Sequence, residues 1–457
     1  MTPVRDDSWG AFFFYVSTRC DLPVHRPQPP KQPIFLQPEQ NEWQVEKLVP
    51  GGAGFLRLPS GQGAFAPGAL PGERIRVDEA EDHRAYLQAT RWHLLEASPD
   101  RVQPSCPVQG SCGGCDLMTL NYPAQLRAKA GILRDALTRV GRFQELPDLD
   151  FVPAPQPLAY RSRIRLHVSK DGRLGFFAAD SRELVEIPGC PVAQSELEAA
   201  LHSLRTIAGR HRAELASFSE LELRAAPSGP RLALRLVPAS RHFAPHSELV
   251  NALAREFSVA VGEHDLAPEQ DQRFPLPGGV ELRVSATAFT QVNWAVNQIL
   301  VQALLDGAEQ RKVASFCDLY CGAGNFSLPL LARGMSGVGI EGSKAAIQAA
   351  KRAAADQGLT RGRFIAGDVR AELARLPRAD AFDLVLLDPP RSGAREVLPE
   401  LVRRSPQQIA YCACDPVTLA RDLRTLCDSG YALSAIRGFD MFPQTHHFET
   451  LAWLSRK

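Results

Sequence analysis

No run of about 18 apolar residues occurs in this 457-residue chain, so no membrane-spanning helix is expected. Net charge is nearly absent: 52 Lys+Arg stand against 51 Asp+Glu, a formal +1. Whole-chain charge therefore argues for neither nucleic acid nor a membrane surface, and any basic surface must be local. A secretory leader is also lacking, because Asp6 and Asp7 precede an apolar patch at 10–16 that is too short for one. There is no internal repeat, and ten cysteines in a chain of this size make no disulfide scaffold. These absences lead to the expectation of a monomer in the cytoplasm, away from membranes. The 44% apolar content excludes a collagen-like or long disordered chain, and the length suggests about three domains.

Cysteine spacing is the first positive signal. Cys106, Cys112 and Cys115 form C-x5-C-x2-C within Cys106-Pro-Val-Gln-Gly-Ser-Cys-Gly-Gly-Cys115. In a reducing compartment such a group reads as a metal or iron–sulfur site. Three thiolates need a fourth, and Cys190 in Ile187-Pro-Gly-Cys-Pro191 is the nearest candidate downstream. Proline and glycine around both segments suit turns that aim side chains at one point. Zinc also accepts four thiolates, and four unrelated buried thiols are the plain alternative.

Residues 1–41 read as a poorly ordered extension, with six prolines between Pro23 and Pro38 and no apolar period. Residues 42–102 carry short apolar stretches between turn signals such as Pro50-Gly-Gly-Ala-Gly54 and Pro59-Ser-Gly-Gln-Gly63, which predicts a small β-barrel. Residues 103–285 read as a central α+β domain, strand-rich and bearing the cysteines. It includes a helix with Leu126, Ile132, Leu133 and Leu137 on one face. Its residues Arg161, Arg163 and Arg165 fall on one strand face, with Ile164, Leu166 and Val168 on the other. Such a row either grips phosphates or is a solvated outer face.

From 286 to 457 strands alternate with helices, which predicts an α/β domain with a parallel sheet covered on both faces. Strands are expected at 313–318, 337–341, 363–366, 382–387, 408–413 and 432–439. Asp318-Leu-Tyr-Cys-Gly-Ala-Gly-Asn-Phe-Ser327 follows the first of them, and Gly322 and Gly324 let the backbone turn sharply against a ligand. The third glycine of a dinucleotide fingerprint is missing, so no pyrophosphate cradle is implied. Glu341, Asp368 and Asp388 end the next three strands. Ligands of open α/β sheets sit beyond such ends, and this ordered acidic series points to S-adenosylmethionine. For each isolated Asp the plain alternative is a helix N-cap. Cys412 lies inside the fifth strand and Cys414 just past its end, the second a candidate nucleophile and the first its rival.

At this point the motifs add up to a family. The chain resembles the RNA uracil-5 methyltransferases from about residue 42 onward. The resemblance rests on Phe289-Thr-Gln-Val-Asn293, the Asp318–Ser327 loop, Asp388-Pro-Pro-Arg-Ser-Gly393, Cys414-Asp-Pro416 with Thr418-Leu-Ala-Arg-Asp422, and Phe442-Pro-Gln-Thr-His-His-Phe-Glu449. It implies a Rossmann-like class I methyltransferase domain at 286–457 and a TRAM or OB-like RNA-binding barrel at 42–102. It implies Cys414 as nucleophile and Glu449 as base, with Gln291, Tyr320, Glu341, Asp368 and Asp388 as S-adenosylmethionine contacts and Asn325 beside them. Cys106, Cys112, Cys115 and Cys190 resemble the [4Fe–4S] site of the ribosomal branch, so the expected partner is RNA, namely 23S rRNA. Three alternatives stand: a transfer-RNA uridine-5 methyltransferase, a catalytically inactive iron–sulfur RNA-binding protein, and an amino-group methyltransferase suggested by Asp388-Pro-Pro390. Ala413 replaces the family's usual serine, and Asp415 sets a carboxylate beside the thiol, where its charge raises the thiol pKa.

Overall fold

A computed structural model describes residues 34–36, 41–179, 181–229, 231–240, 247–262, 264–265, 271–377 and 381–457. The first unit is the barrel. β1 (Ile34–Phe35), β2 (Glu42–Leu48), β3 (Gly54–Arg57), β4 (Gly63–Ala66), β5 (Arg74–Asp82) and β6 (Tyr86–Glu96) follow in chain order. The five strands β5-β2-β3-β4-β6 close on themselves because β5 also pairs with β6, which leaves no long edge. Alternation drives this: Trp43, Val45, Leu56, Ile75 and Val77 point inward and are buried. β1 pairs with the far end of β5, Ile34 opposite Ala80, so residues assigned to the extension join this sheet. Residues 1–33 and 37–40 lie outside the described residues.

The helix Tyr122–Arg139 is capped by Asn121, whose side chain accepts from Ala124 N at 3.0 Å. Ile132, Leu133 and Leu137 are buried as expected, but Leu126 is only partly covered. Gln125 and Lys129 take the buried positions instead. An apolar count passes over them because their burial depends on partners distant in sequence. Lys129 Nζ donates to Asp440 Oδ1 at 2.5 Å, with both side chains fully enclosed. Removing one partner strands a buried charge, so Lys129→Met is expected to cost about 3–5 kcal/mol of stability. A lowered thermal unfolding midpoint is the check, and an unchanged one contradicts it.

β7 (Leu149–Val152) leads into the central unit. Its sheet contains β8 (Arg163–Val168), β9 (Leu174–Phe177), β10 (Leu184–Val185), β11 (Phe218–Ala225), β12 (Leu232–Pro238), β13 (Ser258–Val261) and β14 (His264–Asp265), in spatial order β10-β9-β8-β11-β12-β13-β14. Ile164 and Leu166 face a core that includes Leu197, Leu201 and Leu204 of the helix Ser195–Arg210. The arginine row is neither an open phosphate grip nor a solvated face. Arg163 reaches Glu222 at 3.4 Å, and Arg165 reaches Glu222 at 3.1 Å and Glu220 at 3.0 Å. Burial opposes charge on Glu222, yet Arg163, Arg165 and Arg224 together hold it below the usual carboxylate range. Arg161 lies off this row, beside Tyr160 and the cysteines.

β15 (Gln272–Leu276) and β16 (Val280–Val284) form a hairpin. Phe274, Leu282 and Val284 share a core with Trp294, Leu300 and Leu304 of the helix Trp294–Gln310, and Trp294 Nε1 donates to Pro275 O at 2.9 Å. Packing therefore joins the hairpin to the C-terminal unit, ahead of the boundary expected at 285.

The C-terminal sheet consists of β17 (Ser315–Leu319), β18 (Ser336–Glu341), β19 (Gly362–Ala366), β20 (Leu384–Leu387), β21 (Gln408–Ala413), β22 (Tyr431–Phe439) and β23 (Glu449–Arg456), with β7 added at one edge. The order is β19-β18-β17-β20-β21-β23-β22-β7. β17 to β21 run parallel, and β23 inserts antiparallel between β21 and β22. β23 has no counterpart among the expected strands. The helix Tyr122–Arg139 covers the face that also holds Leu319, Leu387 and Leu419. Leu48 and Leu70 of the barrel enter the same core, and Lys47 pairs with Asp135, which docks the barrel on this helix.

Candidate active site

The acidic residues lie at one end of the sheet, at or just beyond its parallel strands. After β17 the chain turns through Tyr320, which has φ +67°, a left-handed conformation costly for a tyrosine. Tyr320 N and Cys321 N both donate to Ile340 O, at 2.9 and 3.1 Å. Gly324, at φ +97°, has no room for a Cβ, which would meet Leu328 at 2.9 Å. Glu341 ends β18 and braces this turn: its carboxylate accepts from Gly322 N at 3.3 Å and from Ser343 N at 2.8 Å.

Asp318 is fully buried. Its Oδ2 accepts from Ser327 Oγ at 2.5 Å, while Oδ1 has no partner among the described residues. Burial pushes its carboxyl up to about 8, with Asp388 and Glu341 adding to the rise. Asp388 is pushed up to about 7, first by burial and then by Glu341. A buried carboxyl with one oxygen unpartnered, among further acidic groups, is a site short of positive charge, and it fits a cationic ligand. Asp368 is exposed and caps a helix, accepting from Ala371 N at 2.8 Å, which is the plain alternative for that residue. Asn325 is engaged elsewhere: its amide exchanges two hydrogen bonds with Asn297, at 2.8 and 3.0 Å. Gln291 sits on the strand-to-helix connection, where its carbonyl accepts from Ser162 Oγ at 3.4 Å. Two residues away, Phe289 is 59% exposed, with Arg163 4.7 Å above its ring.

Cys414 and Glu449 meet through strand register. β21 and β23 pair antiparallel with Ala413 opposite Thr450, so one step further places Cys414 opposite Glu449. Cys412 points to the same side, but it is only 1% exposed and its Sγ lies 4.0 Å from Glu449 Oε2. Cys414 is only partly buried. Burial, then the Glu449 carboxylate, push its thiol well up, and Arg391 is the one cation that opposes this among the groups acting on it. Burial and Asp388 likewise raise Glu449, again against Arg391. Burial and nearby negative charge thus favour the neutral forms of the Cys414 thiol and the Glu449 carboxyl, and Arg391 works against both.

The two sequence departures have structural answers. Ala413 faces the opposite core from Cys414, so a hydroxyl there could not reach the thiol. Asp415 accepts from Thr418 N at 2.7 Å and caps the helix Pro416–Asp428, and its effect on Cys414 is the weakest of those acting. Asp422 of the same helix accepts from Ala394 N at 2.8 Å and from Tyr411 Oη at 2.7 Å, which anchors the loop after Asp388. Cys317 and Cys321 are buried and pack in the core, as expected.

Arg391 is the functional candidate that sequence reasoning passed over. It stands inside a quoted motif, but its nearness to Cys414, Glu449 and His447 (3.4 Å) exists only in the fold. The other cysteines also come together. Cys106, Cys115 and Cys190 pack around Met118, Tyr160 and Val192, and Cys112 interacts with Cys106, Cys115 and Cys190. Burial raises the thiols of Cys112, Cys115 and Cys190, that of Cys115 to about 12, while Arg161 acts against all three.

A mostly parallel sheet with one inserted antiparallel strand, a glycine turn after its first strand and acidic strand ends defines a class I methyltransferase. Comparison with known proteins agrees. The family model described as tRNA (Uracil-5-)-methyltransferase matches residues 279–457. Over 423 residues the chain is 36% identical to the 23S rRNA (uracil(1939)-C(5))-methyltransferase RlmD of Pectobacterium carotovorum, covering 89% of this chain and 92% of that one. It is 34% identical to the protein of the same description from Aeromonas hydrophila, covering 92% and 97%. A solved structure, Pyrococcus abyssi tRNA (uracil-54, C5)-methyltransferase in complex with S-adenosyl-L-homocysteine, superposes with a TM-score of 0.70 at 26% identity, covering 91% and 99%. The chain belongs to the RNA uracil-5 methyltransferase family.

Proposed function

We propose that this chain methylates carbon 5 of a specific uridine in 23S rRNA through a covalent adduct between Cys414 and carbon 6 of the base. The observation that carries the reading is the cross-strand placement of Cys414 and Glu449 beside the carboxylates of Asp318, Glu341 and Asp388. Carbon 5 of uracil is too weak a nucleophile to attack a methyl group unaided. The Cys414 thiolate adds to carbon 6, and the resulting enolate carries its negative charge toward carbon 5. S-adenosylmethionine, when bound, supplies the electrophilic methyl. Glu449 then takes the proton from carbon 5, the carbon 5–carbon 6 double bond re-forms, and the carbon–sulfur bond to Cys414 breaks. Arg391 stabilises the thiolate and the Glu449 carboxylate. The base must leave its stack to reach Cys414. Incubation with fragments of 23S rRNA and with transfer RNA, followed by mass mapping of 5-methyluridine, tests the substrate. Methylation of transfer RNA alone would support the second reading, which the Pyrococcus abyssi likeness favours.

The cofactor reading has a pH signature. The Asp388 carboxyl is protonated below about 7 and ionised above it. A sulfonium cation favours the ionised form, so binding releases a proton. S-adenosylmethionine affinity is expected to rise by up to about tenfold per pH unit as pH approaches about 7 and to level off above it. S-adenosylhomocysteine carries no sulfonium charge, and its affinity is expected to stay nearly flat. Calorimetric titration at about pH 6 and about pH 8 checks this, and equal slopes for the two ligands would contradict it.

Cys106, Cys112, Cys115 and Cys190 would hold a [4Fe–4S] cluster, tying their loops together without a redox step in the methylation. Convergence of four thiols supports this donor set. Zinc also accepts four thiolates, so the metal content decides between the two. Protein purified without oxygen is expected to contain about four iron and four sulfide per chain. Zinc in their place, or metal content unchanged in Cys190→Ser, would overturn the assignment.

The barrel and central unit would supply RNA grip. Residues 42–102 hold 7 Lys+Arg against 9 Asp+Glu, so charge alone does not make that surface attractive to phosphate. Its outer face instead carries Phe55, Phe65, Tyr86 and His83 in one row, with ring centroids 4.7–5.7 Å apart. Such rings suit stacking on unpaired bases.

A further inference from the structure

We infer that Asp116, Gln125 and Lys129 are positioning residues for Glu449, so that the cysteine loop and the helix Tyr122–Arg139 set the geometry of proton abstraction. The inference rests on the reading of Glu449 as the base. Glu449 opens β23 directly after residues 440–448, a stretch with no helix or strand of its own. Strand pairing ends at Glu449, opposite Phe439 of β22, so how the chain enters β23 depends on the contacts that hold 440–448.

Three sets of contacts do so. Lys129 Nζ donates to Asp440 Oδ1 and, at 3.0 Å, to Phe442 O. Gln125 and Gln444 bond reciprocally: Gln125 Nε2 donates to Gln444 Oε1 at 2.9 Å, and Gln444 N donates to Gln125 Oε1 at 3.0 Å. Gln444 has φ +67°, a left-handed backbone that a glutamine adopts only when its surroundings impose it. Asp116, adjacent to Cys115, accepts from His446 N at 2.8 Å and pairs with His446 Nδ1. Asp116 N and Leu117 N add bonds to Gln444 O, at 3.1 and 2.9 Å, and Tyr160 Oη donates to Pro443 O at 3.0 Å. The segment is thus strapped along its length by groups outside the Cys414–Glu449 pair. Their loss would shift Glu449 relative to Cys414 while leaving the thiol and the acidic strand ends in place.

The test separates addition from abstraction. In RNA tritiated at uracil carbon 5, tritium reaches water only when the carbon 5 proton is taken. The protein–RNA adduct on a denaturing gel reports the earlier addition. Asp116→Ala and Gln125→Ala are compared with the unaltered protein and with Glu449→Gln, in full-length protein whose iron is measured. Asp116 is one-third exposed, so its removal lets in water rather than leaving a void. Both variants are expected to keep their iron and their KM for RNA and to accumulate adduct. Tritium release is expected to fall by roughly 10- to 100-fold, the cost of a misplacement near 1 Å. Asp116→Asn keeps an acceptor for His446 N and is expected to restore most of the rate. If Glu449→Gln forms no adduct, the reading of Glu449 fails. If Glu449→Gln accumulates adduct but Asp116→Ala and Gln125→Ala slow addition and release equally, the positioning role is wrong. A lowered melting temperature with an unchanged ratio of release to addition overturns it as well.

Discussion

Cys414→Ala is expected to abolish methyl transfer, by roughly 10⁴-fold or more, while S-adenosylmethionine binding is retained. In the proposed mechanism the thiol forms the bond that makes carbon 5 reactive, and its neighbour is poorly placed to replace it. Cys412 is closest in sequence and shares the same side of β21, but it is 1% exposed and belongs to the buried core. The carboxylates assigned to the cofactor hang from other strands, so the loss of one sulfur leaves them in place. Rate measurement with labelled S-adenosylmethionine, paired with calorimetry, checks both halves. Full activity would discard the nucleophile and favour an amino-group mechanism, which needs no cysteine. Loss of cofactor binding would mean that Cys414 serves the other ligand.

Glu449→Gln is expected to fail later in the cycle. Turnover is expected to drop by roughly 10²- to 10⁴-fold, the range associated with a lost general base. Addition by Cys414 and methyl transfer precede the base, so the adduct accumulates as a slowly migrating species on a denaturing gel. Glutamine keeps the shape of the side chain but accepts no proton. Burial and the neighbouring Asp388 raise the Glu449 carboxyl, which makes its conjugate base strong once formed. Arg391 is the counter-charge that lets it form. Turnover intact with no trapped species would remove Glu449 from the base role.

Much of the catalytic sheet was legible because strands buried on both faces of a parallel sheet read as apolar runs. The strand expected at 408–413 is β21 itself, and that expected at 337–341 is β18 less one residue. β23 escaped notice because Leu451-Ala-Trp-Leu454 is a short continuous run, which periodicity cannot assign to strand or helix. The domain boundaries escaped for another reason. Residues 122–152 and 272–284 are drawn to the catalytic sheet by surfaces contributed from far along the chain, and no local signal marks that. Arginine alternation correctly gave the faces of β8 but not the partners, since Glu220 and Glu222 sit on β11, more than fifty residues away. Arg391, Asp116 and Lys129 share this limit: each has an unremarkable sequence position and a role defined by what the fold brings beside it.

The account's central claim is that Cys414 itself bonds to the target uridine. RNA carrying 5-fluorouridine offers the direct measurement, because a methylated, fluorinated carbon 5 has no proton for Glu449 to take and the adduct cannot resolve. After incubation with S-adenosylmethionine and such RNA, the protein is digested and the modified peptide is fragmented in a mass spectrometer. The account predicts one methylated fluorouridine attached to the sulfur of Cys414. Attachment at Cys412, or methylated RNA released with no protein adduct, would contradict it.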